Sequence, residues 1–71
     1  MSSERNTIQI QDEYIAAMKA ISPSNRNYCV LVAKASRKLI DELKTAGLSG
    51  SQAERALYDA HEVMQNERVA A

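Results

Sequence analysis

The 71-residue sequence contains no Trp, no Phe, one Cys, one Pro and two Gly, and each scarcity removes a class of protein. One cysteine cannot close an internal disulfide, and one cysteine with one histidine cannot furnish a four-ligand zinc site. Two glycines leave no glycine-rich loop to cradle a phosphate and exclude a collagenous chain. Lys plus Arg number nine and Asp plus Glu number nine, so the formal net charge is zero. No global basic field therefore draws the chain to nucleic acid or anionic lipid. No stretch approaches the roughly 18 apolar residues of a membrane span, and the polar start Met1–Asn6 lacks the apolar run of a secretory signal. These absences predict a cytoplasmic protein that uses no metal or cofactor. Its lone Cys29, beside Val30, Leu31 and Val32, is expected to act as a small buried hydrophobe rather than as a reactive thiol.

What is present describes one small domain, residues 1–71, mainly α-helical, with 1–6 and 68–71 expected to be flexible. A chain of this size buries a limited core and has neither disulfide nor metal to reinforce it, so a homodimer or a tight partner is expected. Residues 28–46 carry apolar side chains at helical spacing, with Tyr28, Val32, Leu39, Ile40 and Leu43 forming the core or dimer face and Lys34, Arg37, Lys38, Asp41 and Lys44 opposite. Ser22-Pro23 permits this second helix to begin there, and Asn27 permits a later start; the helix is placed at about 24–46. Gly47 supplies a left-handed residue after Ala46, and Leu48 is positioned to fold back on Leu43. Ser51-Gln52-Ala53-Glu54 reads as a Ser-x-x-Glu capping box opening a third helix at about 52–67, with Ala53, Ala56, Leu57, Ala60 and Met64 on its apolar stripe. The short link makes helices two and three an αα-hairpin. Helix two is mildly basic, whereas helix three, with Glu54, Asp59, Glu62 and Glu67 against Arg55 and Arg68, is mildly acidic.

No enzyme is indicated. His61 sits at the edge of the third apolar stripe, and Ser36 and Cys29 are the nucleophile candidates, neither in a recognised catalytic motif.

The first segment admits two readings. Thr7-Ile8-Gln9-Ile10-Gln11 alternates polar and apolar as a half-buried strand does, followed by a helix at about 11–21 that starts at Asp12-Glu13. The same residues also fit one helix over 7–21, with Ile10, Tyr14, Met18 and Ile21 on a shared face. The run from Ile8 through Asp12-Glu13 to Ile21, strand then helix then turn then long helix, resembles the ribbon-helix-helix regulators of the Arc and MetJ type, over about residues 5–45. That resemblance implies a dimeric repressor or antitoxin whose paired 7–11 strands enter the major groove of DNA. Thr7, Gln9 and Gln11 would then read bases, while Arg5, Asn25 and Arg26 held phosphates. The alternative is a small helical inhibitor or adaptor, of the kind carried by phages and plasmids, that binds a protein target and no nucleic acid. Its candidate residues are Tyr58, Glu54, Asp59 and Glu62, because tyrosine is favoured at the energetic centres of interfaces.

Overall fold

A computed structural model describes residues 6–70, in which three helices follow one another and no strand occurs: α1 (Thr7–Lys19), α2 (Tyr28–Thr45) and α3 (Gly50–Ala70). Residues 1–5 and 71 lie outside the described residues, and with them Arg5 and most of the two termini expected to be flexible. Asn6 caps α1, and the backbone of α3 runs helical about one turn past the expected end at Glu67.

The expected strand at 7–11 is a helix, and the helix expected at 11–21 begins at Thr7. Asn6 is the reason at the local level. Its Oδ1 accepts from the Gln9 backbone N–H at 2.8 Å, and the Gln9 side-chain Oε1 accepts from the Asn6 N–H at 3.0 Å, a reciprocal capping box. Burial supplies the tertiary reason. A strand would put Ile8 and Ile10 on the same face, yet Ile10 is 3% exposed and Ile8 67%, as expected for residues two apart on a helix. Asp12 and Glu13 therefore lie in mid-helix and do not start it. The ribbon expected from the resemblance is absent from the described residues.

Between α1 and α2 the chain turns through Ser22–Asn27, where Asn25 N–H donates to Ser22 O at 3.0 Å and Tyr28 N–H to Asn25 O at 2.9 Å. Those turn bonds hold the start of α2 back to Tyr28, later than the expected residue 24. At its other end α2 finishes as its sequence requires. Gly47 has φ +109°, Leu48 N–H donates to Leu43 O and Gly47 N–H to Lys44 O, both at 3.0 Å, and Leu48 packs against the core. Nothing lies within 4 Å of where a Gly47 Cβ would be, so Gly47→Val carries a backbone penalty alone. The expected loss is about 1–2 kcal/mol, read as a lower midpoint in urea with an unchanged slope. The cap of α3 lies two residues before the expected box: Ser49 N–H donates to Gln52 Oε1 at 2.9 Å and Gln52 N–H to Ser49 Oγ at 3.2 Å. Both Ser-x-x-Gln at 49 and Ser-x-x-Glu at 51 satisfy the pattern. The earlier one lets α3 start as soon as the Gly47 turn is complete.

Packing places Leu39 and Leu43 of α2, Ile10 and Tyr14 of α1, and Ala53, Ala56 and Ala60 of α3 in one buried cluster. Three of these seven are alanines, which let α3 approach the leucines closely while contributing little volume. Three side-chain contacts give helix direction. Gln11 Nε2 donates to Ala56 O at 2.8 Å, Tyr14 Oη lies 2.7 Å from His61 Nε2, and Lys19 Nζ lies 2.6 Å from Glu67 Oε1. Numbers rise together on both elements, so α1 and α3 are parallel neighbours. Against α2 they fall: Lys44 lies beside Gly50, Ser36 and His61 share the Tyr14 hydroxyl, and Tyr28 meets Met64 and Glu67 around one groove. Helix α2 is thus antiparallel to α3. No described helix is long and apolar enough to cross a membrane.

Candidate functional site

The residues expected to read DNA do not converge. Thr7 is half-buried in the first turn of α1, Gln9 is used by the α1 cap, and Gln11 is half-buried and bonded to Ala56 O. Gln9 lies about 160° around α1 from both Thr7 and Gln11, which stand one turn apart, so the three do not present a common face. Asn25 and Arg26 are exposed in the link before α2, where Asn25 Oδ1 accepts from Asn27 N–H at 2.8 Å. They stand at the far end of α1 from the cap that Gln9 serves.

A polar cluster that no local sequence signal announced ties all three helices. Tyr14, 4% exposed, places its hydroxyl 2.7 Å from His61 Nε2 and 3.3 Å from Ser36 Oγ, and its ring meets the imidazole edge-on with centroids 5.6 Å apart. Ser36 and His61 are each bonded to the phenol and not to each other, so the imidazole is not aimed at the serine oxygen as a general base would be. The cluster fits a structural tie between helices. Among the described residues, every buried side-chain polar atom has a partner, and no group of three or more His, Cys, Asp or Glu is gathered as a metal ion would need. Cys29 is exposed in the first turn of α2, contrary to the buried position expected of it, because the core cluster draws on α2 only from Ala35 onward.

The face expected to form the core or to mediate dimerisation divides. Leu39 and Leu43 are spent on the chain's own core, whereas Tyr28, Val32 and Ile40 are half-buried. Tyr28 lines an open groove of about 410 Å³ with Met18, Ile21, Pro23 and Met64, bordered by the Lys19–Glu67 pair.

The residues proposed for protein docking do share a surface. Tyr58 is 59% exposed, with Glu54 and Glu62 exposed one helical turn before and after it. Asp59 is half-buried, and its carboxylate accepts from Arg55 Nε at 3.1 Å. Neither Glu54 nor Glu62 has an ion-pair partner among the described residues. Ala56 and Glu67, which touch α1, mark one flank of α3; Glu54 and Tyr58 project from the opposite flank. On α2, Lys38 and Glu42 line a small cleft against Glu13 and Ala17 of α1, and Arg37, Ile40 and Lys44 occupy the other side. One continuous face of α2 and α3, turned away from α1, therefore carries Arg37, Ile40 and Lys44 beside Glu54, Tyr58 and Glu62.

Compared with models of known protein families, with curated proteins and with solved structures, the chain matches none. The ribbon-helix-helix resemblance thus has the sequence pattern alone behind it, and its opening segment is helical.

Proposed function

We propose that this protein acts by binding a protein surface, as a small helical inhibitor or adaptor does, through the outer face of α3 centred on Tyr58. The observation that carries this reading is the exposure of a tyrosine between two carboxylates that the fold leaves unpaired. A tyrosine offers large contact area at low entropic cost, and a charged rim steers a complementary partner. A phenol and two carboxylates that served folding would be packed or bonded, as Tyr14 is.

Tyr58→Ala is expected to leave the melting temperature within about a degree while weakening partner binding by about 2 kcal/mol, roughly thirtyfold. A photo-crosslinking amino acid placed at position 58 in cells should yield a discrete protein adduct. The same residue at position 12, on the exposed side of α1, should not. Equal labelling from both positions, or none from position 58, overturns the reading.

A further inference from the structure

The face that carries Tyr58 holds opposite charges on its two helices, Arg37 and Lys44 on α2 and Glu54 and Glu62 on α3, all exposed and without an ion-pair partner among the described residues. Because α2 and α3 are antiparallel, a two-fold axis parallel to them would lay α2 of one copy across α3 of the other at matching levels. The levels follow from the contacts within one chain, Lys44 beside Gly50 and Ser36 level with His61. Lys44 of one copy then meets the first turns of the other's α3, within reach of Glu54, and Arg37 comes between Tyr58 and Glu62. Ile40, half-buried in the single chain, falls beside Leu57 and Tyr58 at the centre. Arg37 and Lys44 are seven residues apart and Glu54 and Glu62 eight, about 10.5 and 12 Å along their helices, so both pairs can form at once.

We infer that this face binds a second copy of the same chain, forming a symmetric dimer with α2 of each protomer against α3 of its partner. The inference rests on the docking reading above and names the partner. Each contact occurs twice, since a two-fold interface is self-complementary. Zero net charge imposes no long-range repulsion between copies, leaving the local sign pattern to set the register. Two helices side by side over the length of α2 present about 27 by 20 Å, which puts the paired faces at roughly 1,000 Å² in total, the lower end of specific interfaces. A dimer of micromolar affinity is expected.

Sedimentation equilibrium on the full chain should give twice the chain mass at tens of micromolar, dissociating on dilution and more readily in high salt. Glu62→Lys and Arg37→Glu should each raise the dissociation constant at least tenfold, and the two together should restore it, with circular dichroism confirming the fold in all three. A single-chain mass up to millimolar concentration overturns the inference, as do single variants that leave the dimer intact or a combined variant no better than either alone. A single-chain mass with a foreign-protein adduct at position 58 overturns only the second copy as partner and leaves the docking reading standing. Failure of position 58 to crosslink to any protein removes both.

Discussion

Leu43→Ala is expected to destabilise the fold by about 2–5 kcal/mol, the range for removing a fully enclosed aliphatic side chain whose site relaxes incompletely. Leu43 has no exposed surface, and Leu39 is the other large side chain so fully enclosed. The buried residues that α3 contributes to the same cluster are Ala53, Ala56 and Ala60, too short to swing into the space left behind. A domain of this length has a total stability on the order of 3–5 kcal/mol, so the loss is comparable to the whole. Circular dichroism of Leu43→Ala at 37 °C should show most helicity lost, without the cooperative melt of the parent chain. A melting temperature lowered by only a few degrees would mean that the leucines do not carry the core.

Tyr14 separates two contributions in one position. Tyr14→Ala deletes a ring that is 4% exposed and touches all three helices through packing and hydrogen bonds; about 3–5 kcal/mol is expected, as for other large aromatic truncations. Tyr14→Phe keeps the ring and removes the hydroxyl. Ser36 and His61 are half-buried and reach water once the phenol is gone, so the expected cost is only about 0.5–1.5 kcal/mol. Denaturant titrations of the two variants should differ in midpoint by a factor of two or more in lost stability. Equal losses would assign the whole effect to the hydrogen-bonded tie, and equal neutrality would remove Tyr14 from the core.

Local chemistry was legible at the end of α2 and along the stripes of α2 and α3, whereas the equally local caps Asn6-x-x-Gln9 and Ser49-x-x-Gln52 competed with other local patterns and were not singled out. The α2 C-terminus needs a residue at positive φ followed by an apolar one, and Gly47-Leu48 supplies both within the segment. The Ala53, Ala56 and Ala60 stripe is likewise a property of one helix. Tyr58 with Glu54 and Glu62 could be picked out because i, i+4 spacing places them on one helical face regardless of what that helix packs against. Hidden from such reading was whether that face bordered α1 or stood clear of it, because flank assignment depends on Gln11 meeting Ala56 and Lys19 meeting Glu67. The Tyr14, Ser36 and His61 cluster was hidden for the same reason. Its members come from three helices and acquire a relation only when those helices pack.

The amino-terminal segment shows the division most clearly. Five residues of polar and apolar alternation satisfy a strand, yet Ile10, Tyr14 and Met18 in the same stretch satisfy a helix, and the Asn6-x-x-Gln9 cap was present in the sequence to favour the latter. Sequence alone determined three things: the end of α2 at Gly47, the apolar stripes of α2 and α3, and, with one cysteine, that no disulfide closes within this chain. Each depends on composition or on residues within two turns of one another. Only tertiary structure decided that residues 7–11 are helical, that Ile10 rather than Ile8 is buried, and that Arg37, Lys44, Glu54, Tyr58 and Glu62 share one open face. The physical reason is that a short period-2 pattern is compatible with both backbones at similar local cost. The free energy that separates them comes from burying Ile10 and Tyr14 against leucines and alanines more than 20 residues away in the chain.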